Sequence, residues 1–265
     1  MSARAEPVAV RGARLRLRRA WAGFAGAVTF LTIVPVRAGV ARQDRFELAA
    51  AGAWFPLVGA GVGAFAGALR IACQPLFGRG PGTVLALAGL VTITGALHED
   101  ALADTADGLG VRGDRARRLE VMRDSRSGAF GVLALVGWAL LMFTSLVALA
   151  AGHALRALIV ACAGARLAAL LHCSGAPPAR PDGLGAALEV KRRSLAIALL
   201  SAVAIMLAAG GPARGALSVA VCAAVSGLSA VLARRAIGGS TGDTIGAAVA
   251  LTEAAICLAL LASWR

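Results

Sequence analysis

Charge is scarce in this chain: 15% of its 265 residues are Asp, Glu, Lys or Arg, against 58% hydrophobic, and the mean hydropathy is +0.77. A soluble all-α bundle of this size needs polar positions recurring on the outer face of every helix. The apolar runs here have none, so that class is excluded. The five cysteines, Cys73, Cys162, Cys173, Cys222 and Cys257, include no CxxC pair and read as small packing residues. The chain also lacks GxxxxGK[ST], so ATP hydrolysis on a P-loop is not supported. No small-residue cleavage site followed by a polar mature region comes after residues 20–36, and that segment reads as retained and not as a signal peptide.

What is present is a series of apolar runs at about residues 20–36, 49–73, 83–97, 129–151, 154–172, 194–211, 215–233 and 244–263. Several reach the roughly 20 residues that cross a bilayer core. The fold class expected is all-α, a polytopic helical bundle in the membrane. The formal charge of +13 resembles a nucleic-acid signal, but the cations flank the apolar runs and report topology instead, and no nucleic-acid partner is expected. Residues 98–128, 173–193 and 234–243 carry six, four and two Lys or Arg, whereas the other side has only Arg70, Arg79, Arg156, Arg214 and Arg265 near the spans. The richer side is assigned to the cytoplasm. Residues 1–19, with six Arg and one Glu, form a basic cytoplasmic segment suited to anionic headgroups, followed by a single membrane-embedded catalytic domain over 20–265. Arg37, Arg42 and Arg45 also belong inside, so segment 20–36 is expected to be re-entrant or interfacial, leaving about seven transmembrane helices. Gly59, Gly63 and Gly67 form two overlapping GxxxG steps that allow close helix packing.

The chemistry concentrates at His98-Glu99-Asp100-Ala-Leu-Ala-Asp104-Thr-Ala-Asp107-Gly108, five acidic or imidazole side chains in ten residues. At about 100° per residue, Asp100, Asp104 and Asp107 lie within roughly 60° of one helix face, where three carboxylates can converge. Hard oxygen ligands of this kind suit Mg²⁺. The competing reading is a solvated helix start favoured by the macrodipole. Like charges at i,i+4 repel, however, and a cation removes that cost.

Four further clusters stand out. Arg123-Asp124-Ser125-Arg126 precedes a span, and its arginines suit phosphate oxygens or ordinary positive-inside flanking. Arg180-Pro-Asp182-Gly183 has the composition of a tight turn or a binding loop. Gly238-Gly-Ser-Thr241-Gly-Asp243-Thr244 opens the last span, where backbone N–H groups attract phosphate or Asp243 acts as an N-cap. Arg166 and Glu253 are intramembrane charges expected to face the bundle interior. His153 and His172 read as interfacial.

Together Phe30-Leu-Thr-Ile-Val-Pro35, Phe55-Pro-Leu-Val-Gly59, Leu97 through Gly108, Arg118 through Gly131, Arg180 through Gly183 and Gly239-Ser-Thr-Gly-Asp-Thr-Ile-Gly246 resemble the cobalamin synthase family. Its members are adenosylcobinamide-GDP ribazoletransferases. The resemblance runs nearly the whole chain, with Ala101 where members usually have Gly and Arg123 where they usually have Lys. It implies attack of the 5′ oxygen of α-ribazole, or of a phosphate oxygen of α-ribazole 5′-phosphate, on the cobinamide-linked phosphorus of adenosylcobinamide-GDP, with GMP leaving. The product is adenosylcobalamin or its 5′-phosphate. Implied roles are Mg²⁺ ligation by Asp100, Asp104 and Asp107; catalysis by Asp104, Asp107, His98 and Asp124; and substrate binding by Arg123, Ser125, Arg126, Asp182, Thr241 and Asp243. The setting implied is a bacterial inner membrane with the site facing the cytoplasm, and partners compatible with it are further copies of the chain or other cobalamin-assembly enzymes. Two rivals are a CDP-alcohol phosphotransferase, whose Asp-Gly…Ala-Arg…Gly-x-x-x-Asp-x-x-x-Asp order is absent here, and a cation or cobamide-precursor transporter. A transporter is expected to carry its acids near mid-span of broken helices.

Overall fold

The computed structural model describes residues 8–36, 50–124, 126–181, 183 and 190–264. Ten helices occur among them: α1 (Val8–Leu31), α2 (Phe55–Phe77, preceded by a 3₁₀ turn, Gly52–Trp54), α3 (Arg79–Thr94), α4 (Leu97–Gly110), α5 (Arg115–Val121), α6 (Ala129–Val147), α7 (Ala151–Gly175), α8 (Arg192–Gly210), α9 (Pro212–Ile237) and α10 (Gly242–Trp264). Six of them, α2 with its 3₁₀ turn and α6 to α10, are long and apolar enough to cross a membrane. A seventh crossing is available only through α3 and α4, which are bent by 87° at their junction.

The bend has a local cause. Gly95 and Ala96 are both left-handed, at φ 63° and 57°. Their N–H groups donate to Thr92 and Val91 carbonyls at 3.0 and 2.8 Å, which closes α3 in a Schellman arrangement. The chain then leaves the axis of α3, and α4 turns aside from it.

Contacts fix the parity. Arg70 near the end of α2 donates to Thr83 Oγ1 of α3 (3.0 Å) and to the Leu149 carbonyl in the α6–α7 turn (2.9 Å). Arg214, opening α9, donates to the Ser263 carbonyl at 3.1 Å, and His153 stacks on Trp264 at 4.8 Å between centroids. These ends share one face. On the other, which we call the acidic face, α4 binds the start of α6 through Asp107, and the end of α7 binds α9 and α10 through His172. The helix ends alternate between the two faces as the cation distribution implied, with six helices able to cross and the bent α3–α4 pair available as the seventh.

Helix α1 is not among the helices long and apolar enough to cross. Phe24 meets Trp54 edge-on (5.6 Å), Phe30 stacks on Phe55 (5.7 Å), and Ile33 N–H donates to the Ile93 carbonyl (2.9 Å). Its second half therefore lies across the acidic-face ends of α2 and α3, the interfacial placement expected for segment 20–36. Arg37, Arg42 and Arg45 lie outside the described residues.

Helix α7 is the central element, buried over almost its whole length by Ala, Gly, Leu and Val. The glycine steps of α2 work as the spacing suggests. A Cβ on Gly59, Gly63 or Gly67 would strike Cys162, Leu158 and Leu155 of α7, so the two backbones meet closely. Arg166 of α7 and Glu253 of α10 form an ion pair, each 1% exposed, which satisfies one buried charge with the other. His172 departs from expectation. It is fully buried, with Nδ1 2.9 Å from Ser229 Oγ and Nε2 3.1 Å from Thr244 Oγ1, so it ties three helices together and is not interfacial. Leu200, Leu133 and Leu140 stay exposed on the outer surface, as lipid-facing side chains do.

Candidate active site

A cavity of about 290 Å³ opens at the acidic face. His98 and Asp100 of α4, Arg180 and Gly183 of the loop after α7, and Thr241 and Asp243 at the start of α10 line its polar part. Phe30, Phe55, Leu97, Ile245 and Val249 line the apolar part, and Arg166 lies on the wall contributed by α7.

The loops that hold this mouth are stitched by backbone and arginine contacts. Ala179 N–H donates to the Ser240 carbonyl (2.8 Å) and Ser240 N–H to the Pro177 carbonyl (2.7 Å). Arg115 and Arg180 donate to the Ala179 and Leu119 carbonyls. Thr241 is the N-cap of α10: its Oγ1 accepts from Thr244 N–H (3.2 Å), while Thr244 Oγ1 accepts from Thr241 N–H (2.9 Å). Asp243, considered for that cap from the sequence, instead accepts from Thr241 Oγ1 at 3.2 Å. Ala101 faces Gly246 of α10 so closely that a Cβ there would strike its methyl.

The carboxylates do not converge as the helical arc suggested. Among the described residues no three His, Cys, Asp or Glu side chains form a ligand set for a metal. The physical reason is Asp107, whose Oδ2 and Oδ1 accept the Gly128 and Gly131 N–H groups at 2.7 and 2.8 Å. A carboxylate on the positive end of α6 is favourable, and both Asp107 oxygens are committed there. Asp100 is exposed and Asp104 half-buried. Burial, followed by the charges of Asp100, Asp243 and Asp107, lifts the Asp104 carboxyl to about 6. The acid cluster thus draws its third neighbour from α10, a contribution that spacing within one helix does not reveal.

Arg123, Asp124 and Arg126 line a separate surface cleft together with Arg117. Arg126 grips Asp124 with two nitrogens, Nε–Oδ1 at 3.0 Å and Nη2–Oδ2 at 2.6 Å, which holds the Asp124 carboxyl down at about 2. Asp124 is therefore a strongly ionised partner of Arg126, and a group so acidic is a poor proton acceptor near neutral pH. Candidate residues fall into two groups, with His98, Asp100, Thr241 and Asp243 at the cavity and Arg123, Asp124 and Arg126 in the cleft. Ser125 and Asp182 lie outside the described residues. Arg166 and Arg180 were not among the expected site residues. For Arg166, its cost in hydrocarbon was the available signal.

The comparisons agree on one family. The family model described as cobalamin-5-phosphate synthase matches residues 23–261. A protein of Azorhizobium caulinodans named adenosylcobinamide-GDP ribazoletransferase is 39% identical over 262 residues, covering 93% of this chain and 98% of its own length. Proteins of the same name from Bradyrhizobium diazoefficiens (41% identical; 83% and 86% covered) and Frankia casuarinae (38%; 88% and 92%) are similar in the same way. No solved structure matches. The acid cluster beside an interhelical cavity thus sits in a chain that belongs to the cobalamin-5-phosphate synthase family.

Proposed function

We propose that this chain is an adenosylcobinamide-GDP ribazoletransferase acting at the cytoplasmic face of a bacterial inner membrane. The carrying observation is the acid cluster of α4, laid along one membrane face beside a cavity and joined there by Asp243 of α10. A ribose hydroxyl of α-ribazole, or of its 5′-phosphate, attacks the cobinamide-linked phosphorus, the bond to the GMP oxygen breaks, and GMP leaves. The description cobalamin-5-phosphate supports a product that keeps a phosphate at that position. The nucleophile is accordingly another ribose hydroxyl, in place of the 5′ oxygen expected from the sequence.

Catalysis of this type rests on alignment and charge stabilisation. Asp104, with its carboxyl near 6, is ionised at pH 7 and close enough to neutrality to take the hydroxyl proton. His98 is the alternative acceptor, buried at the cavity. Arg123 and Arg126 receive phosphate oxygens, the exposed Asp124 yielding its place on Arg126 to the ligand.

The donor set fits a hydrated Mg²⁺ better than a bare tricarboxylate chelate, because Mg²⁺ keeps several waters and takes one or two carboxylates directly. Asp100 and Asp243, which both line the cavity mouth, would hold it, leaving Asp104 as the proton acceptor and Asp107 committed to α6. Bound there, the ion supplies charge neutralisation for the pyrophosphate. Placement of the acids at a membrane face, not at mid-span, argues against transport. The test is turnover by purified protein in detergent with adenosylcobinamide-GDP, α-ribazole and Mg²⁺. Formation of adenosylcobalamin and GMP without a sealed compartment is expected, and its absence refutes the reading.

A further inference from the structure

We infer that the cavity below the acid cluster receives the uncharged planar base of the acceptor nucleoside, with Arg166 donating hydrogen bonds to it. The inference rests on the function proposed above and assigns a part of the acceptor to residues deeper than the acid cluster.

The first observation is an unfinished guanidinium. Arg166 is 1% exposed, and Nη1 is engaged by Glu253, yet Nε and Nη2 have no hydrogen-bond partner. Buried donors are rarely left so, and each is costly until something accepts from it. Arg166 borders the cavity, so a ligand there is the available acceptor.

The second observation is charge. Glu253 already offsets Arg166, and Glu99, whose Oε2 is also buried without a partner, adds no positive charge. The mouth carries the acids Asp100 and Asp243 and one cation, Arg180, which already donates to the Leu119 carbonyl and offsets Asp243. A phosphate entering this cavity would pass acids and meet a neutralised cation, whereas an uncharged heteroaromatic ring with one free ring nitrogen meets no such barrier. The anionic substrate has the arginine cleft instead.

The third observation is shape. Phe30 and Phe55 stack at 5.7 Å with ring planes 10° apart, and together with Leu97, Ile245 and Val249 they give the cavity an apolar wall. At about 290 Å³ it lies near the lower end of small-molecule pockets, which run from about 300 Å³. A bicyclic base suits such a volume and a corrinoid does not. With the base inside, the ribose lies at the mouth, beside Asp100 and its neighbour Asp104, where its hydroxyl is to be deprotonated.

The experiment measures α-ribazole binding to purified full-length protein by calorimetry, and KM for each substrate. Arg166→Lys keeps a cation for Glu253 but gives up donors, and Ala169→Leu extends a cavity-lining residue into the space. Each is expected to weaken α-ribazole by about tenfold or more while the KM for adenosylcobinamide-GDP stays within about twofold. A ligand-side comparison needs no variant: free 5,6-dimethylbenzimidazole is expected to bind the wild type at least about tenfold more tightly than 5,6-dimethylindole, which has no acceptor nitrogen. Equal affinity for the two rings overturns the inference. So does unchanged α-ribazole binding in both variants, or a loss confined to adenosylcobinamide-GDP. A wild type that turns over normally while the variants are indifferent overturns the pocket alone. A wild type that neither binds α-ribazole nor turns over overturns the proposed function as well.

Discussion

Asp104 and Asp107 are three residues apart on α4, and the structure gives them opposite tasks. Asp104 is held near 6 by burial and like charges, so its ionisation is a cost that the fold bears. A carboxylate raised in the folded state stabilises below its ordinary value and loses that contribution as pH climbs through about 6. Asp104→Asn should therefore raise the melting temperature at pH 8, not lower it, while abolishing turnover. Wild-type turnover should fall as pH drops through about 6, as a base becomes protonated. A flat profile between pH 5 and 7, or an active Asn variant, removes Asp104 from the chemistry. Asp107→Ala should behave differently, because one buried and one partly buried N–H group lose a charged acceptor. The loss is about 3 kcal/mol or more at about 1.5–3 kcal/mol per bond, visible as a lower melting temperature in detergent. At the surface, Arg126→Lys should reduce kcat/KM by about tenfold if the guanidinium fork receives two phosphate oxygens, since Lys offers a point charge. Kinetics equal to wild type would return Arg126 to ordinary positive-inside flanking.

At the scale of elements, the junction of α3 and α4 carries the largest local cost. Ala96 is the one non-glycine residue with positive φ among the described residues, and the left-handed region costs an L-residue roughly 1–2 kcal/mol. Ala96→Gly should be tolerated, whereas a β-branched Val is a true outlier there and should destabilise by more than that amount. Thermal melts of the two variants check this, and a Val variant as stable as the Gly variant contradicts the strain assignment. Apolar run lengths revealed the helices, cation positions revealed their parity, and the arc of acids marked the correct segment. The sequence did not show that α4 turns aside from α3, because a Gly-Ala pair reads as an ordinary helix boundary. Nor did it show that Asp107 caps α6 or that Asp243 joins Asp104. Those contacts link segments far apart in sequence, and periodicity is blind to them. The pairing of Arg166 with Glu253 was half legible: each charge announced an interior partner without naming it.

Across the whole molecule, the two faces differ in how much chain they expose. Among the described residues, helices on the acidic face are joined by stretches such as 111–114, 122–124 and 176–181, while the opposite face has the single residue Gly78, residues 148–150 and the single residue Gly211. Protease access requires a stretch of backbone that can leave the fold, and a one-residue turn between two long helices has none to give. Sidedness should therefore be readable without any fusion. In right-side-out vesicles an external protease is expected to leave the chain whole, and in inverted vesicles to cut it within 111–114, 122–124 or 176–181, giving fragments resolvable by mass. Cleavage near residue 149 or 211 from the outside would contradict the arrangement. Among the described residues, the face opposite the acids thus offers almost nothing to bind, cut or recognise.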